Sequence, residues 1–302
     1  MPRVLVPYDF SPYARRACAL AMQGFPFGSE VEIELLHVVD EDMYDNVLAR
    51  EHVPTDEAVL SYLKDELTSI EAQLAVSNGA QRELKLIEPT IRVERGRPYA
   101  VIDARMREPE VVGVCLGGQG HGGSREAVLG RTAQRVIRHA ECAVLVVKQE
   151  RSFAPPTRLL ASVDWSENSA RALRMGAQLR AEQAGVLSIF HVIDSPYVPY
   201  VRALAHEQNA PEMIDQIKAE QLDRLQTFVK DSLSSFEGEL DAVTESVVFG
   251  DPATSISAHV SALLAELVIV GARGSTDLSR YLLGSTAEKL VTSSKADILV
   301  VP

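Results

Sequence analysis

The chain lacks what several functions require. Its three cysteines, Cys18, Cys115 and Cys142, form no C-x-x-C pair and cannot all be joined to one another. That argues against a disulfide framework and for packing residues in a reducing, cytoplasmic compartment. No run of about 18 apolar residues occurs, and at the N-terminus Asp9 and Arg15-Arg16 interrupt any leader-like apolar segment. Neither a membrane span nor a secretory leader is expected. Basic residues are scarce, 30 against 42 acidic ones for a net charge of −12. A surface of that sign is poorly suited to nucleic acid or to an anionic membrane. Also missing are H-x-x-x-H, H-E-x-x-H, G-x-S-x-G and G-x-x-x-x-G-K-[ST]. Their absence disfavours a zinc site, a serine-hydrolase elbow and a P-loop.

What is present is an ordinary globular composition, 46% hydrophobic and 24% charged over 302 residues with a mean hydropathy near zero. That length suits two domains of about 150 residues. The sequence is in fact one pattern written twice. Leu35-Leu36-His37-Val38-Val39-Asp40 returns as Ile189-Phe190-His191-Val192-Ile193-Asp194, and at the same offset Gly96, Gly117, Gly120 and Gly130 fall on Gly250, Gly271, Gly274 and Gly284. Ala143 to Val147 falls on Asp297 to Val301, and with one residue of slip Arg3 to Asp9 matches Arg158 to Asp164. Two long copies imply duplicated domains rather than a solenoid. They are expected at residues 1–150 and 156–302, on either side of the linker Phe153-Ala154-Pro155-Pro156.

Within a copy, β-branched runs alternate with helical stretches, the mark of βαβ units and a mainly parallel sheet. In the first copy the strands are expected at Val4 to Val6, Val31 to Val39, Ile91 to Glu94, Val111 to Leu116 and Val144 to Val147. The first helix starts at the cap Ser11-Pro12, its counterpart at Ser166. A long second helix carries the stripe Leu60, Leu63, Leu67, Ile70, Leu74, echoed by Ile214, Ile217, Leu222, Leu225, Val229, Leu233. These stripes are read as faces packed on the sheet.

In an open parallel sheet, ligands bind beyond the carboxyl ends of the strands. Asp9 and Asp164 each close a first strand, two residues before a capping serine. Either could hold a ribose or an adenine amine, or merely cap the helix. The fourth strand of the second copy runs into Gly271-Ala272-Arg273-Gly274, then nine residues, then Gly284-Ser285-Thr286 and a helix from about Ala287. Glycines admit close backbone approach, and a helix start offers free N–H groups and the positive dipole end. With the hydroxyls of Ser285 and Thr286 and the charge of Arg273, the segment suits a polyphosphate.

This G-x-x-G, nine residues, G-[S/T] spacing, with an aspartate ending the first strand, resembles the ATP-binding branch of the universal stress protein family in tandem form. The resemblance implies two Rossmann-like domains of the adenine nucleotide alpha hydrolase-like type. Each would be a five-stranded parallel sheet with helices on both faces. It implies an ATP site in the second copy formed by Ser162, Val163, Asp164, Val192, Val270, Gly271, Arg273, Gly274, Gly284, Ser285 and Thr286. It also implies pairing through the last strands, an internal pseudo-dimer, and leaves a homodimer open. The first copy offers Asp9, Val38, Gly117, Gly120, Gly130, Arg131 and Thr132. There Arg131 stands in place of Ser285 and Gln119 in place of Arg273, so a hydroxyl and a charge are lost. Arg131 either clasps a phosphate or fills the pocket, and this site ranks second.

Several residues invite other readings. Gly118, Gly120 and Gly123 spell G-x-G-x-x-G, but the second copy lacks it and the acid expected at the end of the following strand is missing. His37 and His191 read as core residues, while His121 could reach a phosphate. Glu41 to Pro54 and Ser195 to Pro211 diverge between the copies and suit a lid, a partner surface or a plain connection. The expected function is a non-enzymatic, ATP-dependent regulator in a stress response, with an unidentified protein partner. The rivals are a slow magnesium-dependent ATPase, with Asp251 or Asp277 as candidate base, and a scaffold that binds no nucleotide.

Overall fold

A computed structural model of the chain describes residues 1–40, 54–78, 85–120, 129–194, 210–238, 242–274 and 283–302. It divides into two compact units, Met1–Pro155 and Pro156–Pro302. The connections expected at 41–54 and 195–211, along with His121, Gly123 and Asp277, fall largely or wholly outside the described residues.

The first unit runs β1 (Arg3–Pro7), α1 (Pro12–Met22), β2 (Glu32–Val39), α2 (Asp56–Asn78), β3 (Thr90–Arg95), α3 (Pro98–Met106), β4 (Val111–Gly117), α4 (Arg131–His139) and β5 (Ala143–Val147). Its five strands are parallel and ordered β3-β2-β1-β4-β5, so the order reverses between β1 and β4. α1 packs against β1, β4 and α2, while α3 packs against β2, β4 and α4. Right-handed crossovers put these two helix pairs on opposite faces of the sheet.

The second unit repeats the plan with β6 (Arg158–Val163), α5 (Glu167–Gln183), β7 (Val186–Ile193), α6 (Ala210–Ser232), β8 (Val243–Phe249), α7 (Pro252–Ala262), β9 (Leu267–Gly271), α8 (Ser285–Ser293) and β10 (Asp297–Val301). Its parallel order is β8-β7-β6-β9-β10. The central strand β9 is buried along its whole length, which is why it reads as a continuous apolar run rather than an alternation. Both expected caps form: Ser11 Oγ accepts from Ala14 N at 3.1 Å and Ser166 Oγ from Ser169 N at 3.1 Å.

The α2 stripe is buried as expected at Leu63, Leu67, Ile70 and Leu74, but its first member is Val59 and Leu60 is only half-buried. In α6 only Leu225, Val229 and Leu233 are buried; Ile214, Ile217 and Leu222 are half-buried. The apolar spacing is similar in the two helices, yet only the C-terminal half of the α6 stripe is buried.

Polar ties absent from the local sequence pattern fasten the first unit. Glu34, buried on β2, takes Arg105 in a two-pronged pair at 2.5 and 2.7 Å, with Arg3 at 3.3 Å and Arg92 at 3.7 Å. Pairing offsets the cost of burying that carboxylate. Tyr8 donates to Glu66 at 2.8 Å, and Arg15 bridges Glu66 and Ser69, joining β1 and α1 to α2. Cys18 and Cys115 are buried thiols, and burial pushes the Cys18 pKa up to about 12. They pack, as the sequence implied.

Truncating the α2 stripe should be costly. Ile70→Ala removes a side chain with no solvent exposure and should lose about 2–5 kcal/mol. Val76→Ala, 83% exposed on the same helix, should stay within about 0.5 kcal/mol. Urea denaturation midpoints of the two variants provide the measurement.

Candidate functional site

Each unit has a cavity where its strand order reverses, beyond the carboxyl ends of its central strands. In the second unit it measures about 470 Å³ and is lined by all eleven residues expected there, from Ser162 to Thr286. Trp165, His191, Asp194 and Gln221 also line it. In the first unit it measures about 450 Å³, and Asp9, Val38, Gly117, Gly120, Gly130, Arg131 and Thr132 all line it. Arg131 therefore does not fill the first cavity. Of the two roles open to it, occlusion is not what the geometry shows.

The glycines have a local cause. A methyl group on Gly271 would lie 3.0 Å from backbone atoms of Asn168 and Ser169, at the start of α5. One on Gly274 would lie 2.6 Å from Asp164 Oδ2. The first unit repeats both contacts, Gly117 against Ala14 N at 2.8 Å and Gly120 against Asp9 Oδ2 at 2.5 Å. The two glycines thus let the loop close onto the first helix and onto the aspartate at the end of the first strand. Close approach to the protein's own carboxylate was not foreseen from the sequence, where a ligand alone explained the spacing.

That aspartate is bound on its other side. Asp164 Oδ1 accepts from Ser166 N at 3.2 Å and from Ser166 Oγ at 2.6 Å, and Asp9 Oδ1 accepts from Ser11 N at 3.1 Å. The serine caps the helix and the aspartate holds the serine. Between them stand Trp165 and Phe10, both in the left-handed region with φ of 69° and 63°. Bulky residues rarely adopt it, at a cost of about 1–3 kcal/mol where they do. The ring faces offset it: Trp165 lies 4.2 Å from His191, edge-on to Phe228 at 5.5 Å and beneath the Arg224 guanidinium at 4.5 Å. Phe10 similarly meets His37 at 4.8 Å and Tyr62 at 5.0 Å. The aromatic between aspartate and serine in both copies was the available sequence signal for this cluster.

Against the expectation of two core residues, His191 is buried but lines the cavity and His37 is only half-buried; both are hydrogen-bonded on their strands. His191 Nδ1 donates to Val163 O at 2.8 Å and His37 Nδ1 to Tyr8 O at 2.7 Å, fixing the tautomer wherever the ring is neutral. Burial, helped by the Arg224 charge, holds the His191 pKa below its ordinary 6.5 despite the bond to Val163 O.

The helix that follows the loop begins earlier than its sequence indicated. α8 starts at Ser285, with extended Gly284 (φ −61°, ψ 147°) as its cap. Gly284 contributes no side-chain capping bond, and neither does Gly130 before α4. At each cavity the cap residue itself therefore supplies no side chain to the first-turn N–H groups. Gly284 N donates to Ala272 O at 2.8 Å and Ala272 N to Val301 O at 2.7 Å, seating the loop over β10. Asp251 is occupied elsewhere, accepting from Thr254 N at 2.9 Å and Thr254 Oγ1 at 2.7 Å as the cap of α7. Those bonds lower its pKa. Among the described residues no group of three or more His, Cys, Asp or Glu is arranged to hold a metal, and no helix is long and apolar enough to cross a membrane.

The model of the universal stress protein family matches residues 1–148 and again 156–302. This chain belongs to the universal stress protein family. It is a tandem member, with one family domain in each structural unit. Universal stress protein Rv2623 of Mycobacterium tuberculosis is 25% identical over 303 residues, spanning 98% of this chain and 95% of that protein. Universal stress protein YxiE of Bacillus subtilis is 30% identical over 152 residues, 48% of this chain and 97% of that one. Among solved structures, a universal stress protein from Archaeoglobus fulgidus superposes with a TM-score of 0.65 at 18% identity, covering 99% of this chain and 97% of its own. A second, from Pseudomonas aeruginosa, gives 0.60 at 16% identity, covering 100% and 93%. At these identities the superpositions establish the shared fold.

Two outcomes follow from the site's geometry. Gly274→Ala should destabilise the second domain by about 1–3 kcal/mol, because its new methyl meets a carboxylate. In an Asp164→Ala background the same change should cost little, and a double-mutant cycle on denaturant midpoints measures that coupling. For His191, the unfolded chain binds the extra proton because the folded pKa is the lower one. Its stabilising contribution is full above the unfolded value of about 6.5 and is lost as pH falls through the folded value. His191→Gln should flatten that part of the stability–pH curve, and an NMR titration of the ring should give a midpoint below 6.5.

Proposed function

We propose that this tandem universal stress protein is an ATP-binding regulator, with the nucleotide held in the second cavity. The observation carrying this reading is the convergence on one cavity of Asp164, the Gly271–Gly274 loop, Arg273 and the start of α8, whose cap residue is a glycine. Asp164 offers acceptors to ribose hydroxyls or an adenine amine. Arg273, the α8 N-terminus and the hydroxyls of Ser285 and Thr286 suit a phosphate chain. Magnesium would accompany the triphosphate. ATP bridging the Asp164 end of the cavity to α8 would favour one arrangement of the loop, and so bias the binding of a protein partner. Catalysis is not required by this reading, since the carboxylate of Asp251 is engaged as a helix cap.

Trp165, the chain's one tryptophan, lines this cavity and provides a direct reporter. ATP titration should change its emission with a stoichiometry of about one per chain. Ser285→Ala should weaken binding roughly five- to tenfold, the loss of a hydrogen bond worth about 1–1.5 kcal/mol. Gly284→Arg should abolish it by placing bulk on the loop. Unchanged ATP binding in both variants would overturn the reading. Intact ATP recovered after hours with magnesium would separate regulator from hydrolase.

A further inference from the structure

The outer edges of the two sheets are guarded differently. Among the described residues β3 pairs only with β2 and β8 only with β7, so each unit ends on a strand with one open side. Such a strand presents unpaired N–H and C=O groups that invite another strand, and edges are usually defended by charge, proline or a bulge. β3 is defended. Arg92 bonds Glu94 at 3.4 Å, and Arg95 donates to Asp56 at 2.6 Å and to Pro54 O at 3.1 Å, closing the start of α2 onto the edge.

Register between the copies puts Ser246 where the first unit has Arg92, Val248 for Glu94, Phe249 for Arg95 and Ala210 for Asp56. Every defending charge of β3 is thus missing from β8. Nor does β8 contain proline, and its register with β7 runs from Leu187↔Val243 to Ile193↔Phe249 without a bulge. Its one charged side chain is Glu245. Burial raises the pKa of that carboxyl despite a hydrogen bond from Gln226, which places it on the α6 side of the sheet.

The helix beside this edge is uncovered over the matching stretch. α6 packs on β8, yet Met213 is 42% exposed and Ile217 only half-buried. Their counterparts on α2, Val59 and Leu63, are buried. The unguarded strand and the uncovered helix therefore belong to one surface of the second unit.

We propose that β8 is a docking edge for the β8 of a second copy of this chain, the two strands running antiparallel about a two-fold axis at Ser246. What selects a second copy is the self-complementarity of this segment about its central serine. In that register Val243 stands opposite the partner subunit's Phe249, Thr244 opposite the partner subunit's Val248, Glu245 opposite the partner subunit's Val247, and Ser246 opposite its own counterpart. Aromatic and β-branched residues make favourable cross-strand pairs, and no like charges stand directly opposite. An axis at Glu245 would instead set two carboxylates face to face. Because the axis is normal to the sheet, both copies keep α6 on the same face. The two helices then meet over the join, which offers cover to Met213, Ile214 and Ile217. This edge lies at the far end of the strand order from β10, and the inference does not rest on the ATP reading.

Sedimentation equilibrium of the full chain without nucleotide tests it. The wild-type chain should associate reversibly toward twice its 33.0 kDa. Ser246→Arg restores the first unit's charge and sets two guanidinium groups face to face at the axis, which should weaken association at least about tenfold. Ser246→Glu should do the same with the opposite sign. Mixed in equal amounts, the two variants should associate again, because opposite charges then meet. A dimer untouched by either variant, or two monomeric variants that stay apart when mixed, would overturn the proposal. So would a wild-type chain that remains monomeric across the micromolar range, which would leave the edge to an extended segment of another protein. Should the variants fail to fold, hydrogen exchange of the wild-type chain decides. Exchange of β8 amides should slow as protein concentration rises, and a rate independent of concentration would reject self-pairing.

Discussion

The contact between a loop glycine and the aspartate that ends the first strand, Gly120 with Asp9 and Gly274 with Asp164, organises each domain's working end. One carboxylate oxygen takes the backbone and, in the second copy, the hydroxyl of the helix-capping serine. The other lies where any side chain on the glycine would have to be. Strand, helix cap and fourth-strand loop are therefore fixed by a single group. With the loop seated, the next helix begins at the glycine that closes it, and its first N–H groups face the cavity.

The same contact separates what must be kept from what can change. Gly117, Gly120 and Gly130 are present in the first copy too: the α1 backbone leaves little room for a side chain at the first, the Asp9 carboxylate at the second, and the third caps α4. Lining positions carry no such constraint. Ser162 becomes Pro7, Ser285 becomes Arg131, and the cavity volume hardly alters. Within one chain the glycine framework and the aspartate are repeated, while several other lining side chains differ between the two cavities.

The alternation of strands and helices, the mainly parallel sheet, both serine caps and the glycine loops after β4 and β9 were legible because each rests on local pattern: apolar runs, a serine at a helix start, glycines at fixed spacing. What escaped was non-local or conformational. The Glu34 cluster joins Arg3, Arg92 and Arg105 from three different elements, and no spacing connects them. The start of α8 at Ser285, two residues before the expected Ala287, was missed because the cap is an extended glycine, which carries no capping side chain to signal it. The left-handed Trp165 lay outside any rule of propensity, since bulky residues avoid that region unless packing on both ring faces holds them there. Half-burial of the early α6 stripe escaped too, because spacing gives the direction of a face and says nothing of what covers it.

Helix N-terminal donors at the cavities of a molecule carrying a net charge of −12 have a kinetic side. On the proposed ATP reading, a polyanion would be repelled at a distance and attracted only within the last few ångströms, where backbone N–H groups and an arginine take over. Far-field repulsion is screened by salt over a Debye length of about 8 Å at physiological ionic strength, whereas contacts inside a cavity are screened far less. Rising ionic strength therefore speeds capture more than it shortens residence, the reverse of the pattern for a basic, electrostatically steered binder.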